Sequence, residues 1–225
     1  MTVAAAREAY PRWAATYEHE NAVTTLECEL VERLSRSPRG LRLLDVGCGT
    51  GRRLVGSGAA SATGVEACPE MLAAGRQAHS FGPEVRLLEG DARALPVPAG
   101  AFELVWCRLM IGHLPECEAA YRELGRAAAA GGQVVVTDFH PDAYAAGLRR
   151  TFRDGEEVLE IEHYVHTAET QIAAAEKAGL VLSAAAEGVV GPQVRGFYSA
   201  AGKAAMYEQQ RGRPLVLGLA FRRDA

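Results

Sequence analysis

The sequence predicts a doubly wound α/β domain, a mostly parallel sheet with helices on both faces. Three observations carry that reading. From Leu41 onward, short apolar, β-branched runs alternate with helical stretches, the pattern of consecutive βαβ units. The first of these runs passes straight into a glycine-rich turn, Asp45-Val46-Gly47-Cys48-Gly49-Thr50-Gly51. The connections between runs are short throughout.

Taken in order, residues 4–17 and 24–35 read as amphipathic helices ahead of the sheet, the second placing Leu26, Leu30, Val31 and Leu34 on one face. Strands are expected at 41–46, 62–66, 84–89, 102–107 and 132–138. Helices fall between them at about 51–57, 69–79 and 117–129, with Pro69 at a favoured first-turn position. A polar segment, 139–166, precedes a helix at 168–178 that Thr167 can cap and Gly179 can end. Residues 180–182, with 189–190 behind them, and 215–221 suit two final strands; the stretch 191–198 between them mixes Arg195 with aromatics that could wall off an acceptor, but reads first as a solvated loop. No internal repeat or low-complexity linker divides the chain, so 1–225 reads as one domain.

The bulk numbers exclude several classes. With 225 residues, 48% hydrophobic and 23% charged, the chain is sized for one full core. It contains no run of 18 uncharged apolar residues, and its start carries an early Glu8 rather than an apolar stretch before a small-residue cleavage site. A cytoplasmic protein with no membrane contact is therefore expected. Cys28, Cys48, Cys68, Cys107 and Cys117 are odd in number and lack any CxxC pair, which speaks against a disulfide framework and against zinc. A net charge of −4 without a basic run argues against a nucleic-acid partner. Lysine occurs only at 177 and 203 while arginine and alanine abound, which points to a GC-rich bacterial source. A monomer or a homodimer is expected.

Chemistry concentrates at the glycine turn. Glycine there permits a left-handed backbone and lets a ligand lie against bare main chain, and the helix expected to follow offers free N–H groups. The dinucleotide fingerprint is G-x-G-x-x-G, whereas this loop is Gly47-x-Gly49-x-Gly51 with Arg52 in the third-glycine position. NAD and FAD are thereby disfavoured. The loop resembles the D-x-G-x-G-x-G segment of the class I S-adenosylmethionine-dependent methyltransferases, and the similarity extends over most of residues 41–139.

That resemblance implies a Rossmann-like sheet of seven strands with the last one antiparallel, and S-adenosylmethionine as cofactor with S-adenosylhomocysteine as product. It also implies roles for named positions. Asp45, Gly47, Gly49 and Gly51 would form the nucleotide loop. Glu66, at the end of the second strand, would accept the ribose hydroxyls. Glu89-Gly90-Asp91-Ala92 looks like the adenine-binding turn, with Asp91 accepting from the amino group and Ala92 offering its N–H. Cys107 to Met110 would wall the methionine part; there Gly112-His113 departs from the paired histidines of many relatives. The segment Tyr10-Pro11-Arg12-Trp13-Ala14-Ala15-Thr16-Tyr17 is similar to the Y-D-x-x-A-x-x-Y lid of small-molecule methyltransferases, with Pro11 in place of the acid, which brings Tyr10 towards the acceptor and Tyr17 towards the donor. Residues 1–38 would then be a helical lid, 41–139 the cofactor core, 139–166 an acceptor-side insert and 167–225 the completion of the sheet.

Methyl transfer from a sulfonium is a direct displacement, so an enzyme base is needed only if the acceptor must lose a proton. His140 follows the fifth strand, beyond whose carboxyl end ligands bind, and Pro141 turns it away from helical geometry. His140 is the leading candidate base and an acceptor contact, with His113 the second. In Glu160-Ile161-Glu162-His163-Tyr164-Val165-His166 a strand would place Glu162, Tyr164 and His166 on one side and His163 on the other. That makes Tyr164 and His166 acceptor candidates and leaves no metal site. The expected function is methyl transfer to an O, N or C atom of a small molecule, by resemblance a bacterial natural product or its intermediate. The alternatives are a protein that binds S-adenosylmethionine without transferring its methyl group, an NAD-dependent oxidoreductase, and methylation of a protein side chain.

Overall fold

A computed structural model describes residues 3–224; Met1, Thr2 and Ala225, at the ends of the expected domain, lie outside the described residues. Strand β1 (Val3–Ala4) and helix α1 (Ala6–Trp13) lead through a 3-10 turn, Ala14–Thr16, to α2 (Ala22–Leu34). The central alternation runs β2 (Arg42–Val46), β3 (Ser61–Glu66), α3 (Pro69–Ala78), β4 (Val85–Glu89), β5 (Phe102–Arg108), α4 (Glu118–Ala127) and β6 (Ala128–Phe139). It continues through α5 (Pro141–Ala145), β7 (Thr151–Asp154), β8 (Glu157–Ile161), α6 (Ala168–Lys177), β9 (Leu180–Val189), α7 (Arg195–Ala200), α8 (Ala204–Gln210) and β10 (Pro214–Arg223).

Seven strands form one sheet in the order β4-β3-β2-β5-β6-β10-β9. β2 pairs in parallel with β3 on one side and β5 on the other, while β10 enters antiparallel between β6 and β9. This is the expected mostly parallel sheet with its last strand antiparallel. The order reverses beside β2, so a crevice opens beyond the carboxyl ends of β2 and β5, where ligands bind in such sheets. Neighbouring residues Leu43 and Leu44 point to opposite faces and are both fully buried, which requires cover on both sides. On one face α2 packs Val31 with Leu43 and Leu104; on the other α4 packs Tyr121 and Leu124 with Leu44 and Val105.

Local chemistry explains the helix ends. Asn21 accepts from the Val23 and Thr24 amides at 3.0 and 3.1 Å, and Thr24 Oγ1 accepts from the Asn21 amide, so α2 starts ahead of the expected residue 24. Thr167 accepts from the Thr170 amide at 3.2 Å, and Gly179, at φ +73°, ends the turn after α6.

Four expectations need correction. The helix expected at 51–57 is a single 3-10 turn, Arg52–Leu54, because Val55 is extended and Gly56 adopts a positive φ of 66°. The helix expected to 129 stops at Ala127, and β6 begins at Ala128 with a register shift against β5. Strand β8 ends at Ile161, so Glu162 to His166 is irregular and the two-sided alternation drawn for those residues does not apply. The stretch read as a solvated loop holds a 3-10 turn, Pro192–Val194, and helix α7, with Val194 and Tyr198 buried. Beyond the main sheet, β1, β8 and β7 form a three-stranded sheet that the sequence did not suggest. No helix among the described residues is long and apolar enough to cross a membrane.

Candidate functional site

At the end of β2 the chain turns through the glycine loop, held by the Gly47 and Cys48 amides donating to the Val65 carbonyl at 2.8 and 3.1 Å. Gly47 (φ +72°) and Gly49 (φ +59°) adopt a left-handed backbone that strongly favours glycine. A Cβ at Gly47 would also overlap the Met110 side chain, and one at Gly49 would press on Tyr17 at 3.2 Å. Both glycines line a cavity of about 500 Å³ together with Glu66, Asp91, Ala92, Met110, Tyr10, Tyr17, His113 and Tyr164. Gly51 faces Leu87 and Phe81 instead and shapes the turn from behind. Since only a 3-10 turn follows, the loop presents bare main chain without the full helix dipole expected after it.

The Glu66 carboxylate ties two walls of the cavity. Its Oε2 accepts from the Gly49 amide and its Oε1 from the Cys68 amide, both at 2.9 Å, while burial pushes its pKa up. Each oxygen retains a further lone pair for a ligand hydroxyl. Asp91 stands across the cavity at the turn after β4 and is paired with Arg93, whose Nε and Nη2 donate at 2.9 and 2.6 Å; those bonds hold the Asp91 pKa below its ordinary value. Asp45 is buried beneath the loop outside the cavity, and burial raises its pKa to about 7. Cys107 is fully buried in the core, outside the cavity lining, whereas Met110 forms part of it.

The N-terminal segment is fastened over this loop. Glu18 accepts from the Thr50 hydroxyl, the Arg52 guanidinium donates to the Glu18 carbonyl at 2.9 Å, and Arg52 and Arg53 both pair with Glu20. Deeper in, Arg108 donates through Nε and Nη2 to Glu27 of α2, both at 2.7 Å, in a buried ion pair. These contacts carry Tyr10 and Tyr17 to the cavity, with ring centroids 6.0 Å apart.

Tyr17 and Leu109 also line a second cavity, of about 310 Å³, whose other walls include Trp13, Phe139, Arg150, Phe197, Tyr198 and Leu215. Leu109 holds a positive φ of 53°, the one non-glycine residue with this geometry among the described residues. Strain of this kind concentrates at ligand sites. Arg150 bridges the cavities: its Nη1 donates to the Leu109 carbonyl at 2.8 Å and to His113 Nε2 at 3.1 Å. An arginine is an obligate donor, so His113 Nε2 carries a lone pair, to which the Tyr10 hydroxyl also donates at 2.7 Å. The imidazole is thereby held neutral, and burial together with Arg150 keeps its pKa well below the ordinary value.

Of the remaining sequence candidates, His140 and His166 lie outside both linings. His140 accepts from the Asp142 amide at 3.1 Å as the cap of α5, and its Nε2 faces Glu187 at 3.3 Å. His166 donates from Nε2 to the Leu114 carbonyl at 2.9 Å and is buried. Tyr164 lines the larger cavity, held by its amide on the Gly112 carbonyl at 2.7 Å. Sequence reasoning placed Leu109 in the 107–110 wall and weighed the aromatics of 191–198 as an acceptor wall, and Phe197 and Tyr198 do line the second cavity, but it missed Arg150. No cluster of three or more His, Cys, Asp or Glu able to hold a metal ion occurs among the described residues.

Residues 44–136 match a family described as a methyltransferase domain. A demethylmenaquinone methyltransferase from Thermus thermophilus is 40% identical over 116 residues, covering 48% of this chain and 50% of that protein. A phosphatidylethanolamine N-methyltransferase from Cereibacter sphaeroides is 31% identical over 142 residues, covering 61% of this chain and 70% of that protein. Among solved structures, an S-adenosylmethionine-dependent methyltransferase from Mesorhizobium loti superposes with a TM-score of 0.67 at 22% identity, over 88% of this chain and 98% of that one, which speaks for the fold. The chain spans about half the length of the first of these relatives. The family match ends ahead of every second-cavity residue that follows β6.

Proposed function

The chain belongs to the class I S-adenosylmethionine-dependent methyltransferases, and from that premise we propose that it methylates an O, N or C atom of a small molecule, a bacterial natural product or an intermediate of one. The observation that carries the proposal is the convergence of Gly47, Gly49, Glu66, Asp91 and Met110 on one cavity whose inner wall, Tyr17 and Leu109, is shared with a second. Bound S-adenosylmethionine supplies a methyl group already activated for direct displacement.

The chain's own residues have to bind, align and exclude water. Gly47 and Gly49 would hold the donor by main chain, Glu66 would take the ribose hydroxyls, and Asp91 with Ala92 would take the adenine edge. Met110 would supply the apolar wall. Tyr10 and Tyr17, carried by the N-terminal segment, would close the cavity as a lid. His113 is pinned by Arg150 and held neutral with a depressed pKa, which suits a positioning residue rather than a base. His140 is occupied as a cap. The acceptor would therefore reach the site already nucleophilic.

Calorimetric titration with S-adenosylhomocysteine and NAD tests the proposal. The first should bind and the second should not, and Glu66→Gln should weaken the first by roughly 10- to 100-fold, about 1.4–2.7 kcal/mol. Radiolabelled donor incubated with a small-molecule panel should then lose its methyl group to one of the compounds. A folded protein that ignores S-adenosylhomocysteine overturns the proposal.

A further inference from the structure

The second cavity pairs apolar walls with a cation that makes no ion pair among the described residues, the buried Asp138 carboxylate acting on it only at longer range. Trp13, Phe139, Phe197, Tyr198 and Leu215 supply flat aromatic and aliphatic surface, and Arg150 stands among them. Among the described residues Arg150 is bonded only by neutral partners, the Leu109 carbonyl and the His113 ring. Its neighbour differs: Arg149 lies over the Tyr144 ring at 3.9 Å, donates to the Tyr144 and Leu148 carbonyls, and faces Glu160 at 3.5 Å. Lys203, at the rim of the same cavity, adds a second positive charge.

A half-buried guanidinium retains donors beyond Nη1, and in a low-dielectric site an anion is its natural complement. Its position is also informative. Nη1 touches Leu109 and His113, and both of these line the cofactor cavity. An anionic group seated on Arg150 would lie where the two cavities join.

We propose that the second cavity is an acceptor site for a planar apolar molecule bearing an ionised oxygen, and that Arg150 binds that oxygen. The inference rests on the methyltransferase reading and deepens it. It accounts for a site without a free base, because an oxygen already ionised in solution and stabilised by Arg150 attacks with its own lone pair. The acceptor's proton has then gone to water beforehand, the new O–C bond forms as the C–S bond of the donor breaks, and the electron pair returns to sulfur. The apolar walls set the plane of the acceptor, and Arg150 sets its direction.

The probes are 2-naphthoate and its neutral isostere 2-naphthamide, titrated by calorimetry and by quenching of tryptophan fluorescence in a Trp106→Phe background, with and without S-adenosylhomocysteine. The wild-type protein should bind naphthoate about tenfold or more tightly than the amide. Arg150→Gln should abolish that preference, and Arg150→Lys should retain part of it. The wild-type calorimetric comparison needs no substitution, so it stands even if Arg150→Gln disturbs the Leu109 turn. Equal affinity for acid and amide, or no binding of either to a protein that binds S-adenosylhomocysteine, overturns this inference and leaves the methyltransferase reading intact. A preference for naphthoate in a protein that ignores S-adenosylhomocysteine supports the anion site and strikes the cofactor reading instead.

Discussion

Tyr17 and Leu109 separate two cavities that are made of different materials. The larger one has a main-chain floor: the turns after β2, β3 and β4 present glycine, amide and carbonyl groups, steadied by Glu66. The smaller one is made of side chains drawn from segments between Trp13 and Leu215 and has no glycine floor of this kind. A main-chain site tolerates no added atom, because a backbone cannot adopt another rotamer. A side-chain site can repack, so its selectivity can change while the sheet stays as it is.

The sharpest contrast between the two is a single methyl group. Gly47→Ala places a Cβ into Met110 on a residue at φ +72°, so S-adenosylhomocysteine affinity should fall about 100-fold or more, the backbone strain alone costing about 1–2 kcal/mol. Gly196→Ala, in α7 on the acceptor side, meets nothing within 4 Å, and its affinity should stay within about twofold of wild type. Parallel calorimetric titrations check both. Equal losses would mean that the two sides are not built differently.

The same difference governs what could be read from the chain. A parallel sheet writes its turns locally, so Gly47, Gly49, Glu66 and Asp91 each stood directly after an apolar run and could be named from it. The helix after Gly51 could not be excluded, since its fate depended on an extended Val55 and a positive φ at Gly56, which sequence spacing does not report. Arg150 carried no local sign at all. It reaches the junction because β7 and β8 fold back as a hairpin, with β1 added beside β8, and that pairing joins residues about 150 positions apart. His140 misled for a related reason: its place beyond β6 was right, but Asp142 and Glu187 claim both ring nitrogens.

Beside the junction lies a buried titratable cluster. Asp138 Oδ1 is 3.8 Å from His163 Nε2, and a side chain at Gly112 would overlap the His163 ring. Burial raises the Asp138 pKa to about 7 and lowers that of His163 to about 3. Between the ordinary carboxylate value and pH 7 the folded state holds the Asp138 proton more tightly than the unfolded chain, so this group's contribution to stability is lost as pH rises through that window. His163 acts in the opposite sense, because stability is lost as pH falls from its ordinary value towards 3. Asp138→Asn removes only the first effect. Relative to wild type it should therefore gain about 2–3 kcal/mol between pH 5 and pH 8 in urea unfolding. A difference that stays constant with pH would mean that Asp138 is ionised throughout, and that the junction carries one more negative charge to balance Arg150.

The smallest expected effect separates a catalytic histidine from a capping one. His140→Ala removes the acceptor for the Asp142 amide and should cost about 1 kcal/mol of stability, read by thermal melting. His140→Asn should restore it, since asparagine is a strong cap residue. Binding of S-adenosylhomocysteine, and turnover of whichever panel compound accepts the label, should be the same in all three proteins. General-base catalysis typically contributes about 10²–10⁴-fold. If His140 supplied it, asparagine would rescue the melting temperature but not the turnover. That split would move the acceptor's reacting atom from Arg150 at the junction to the end of β6, where the side-chain cavity would then have to extend.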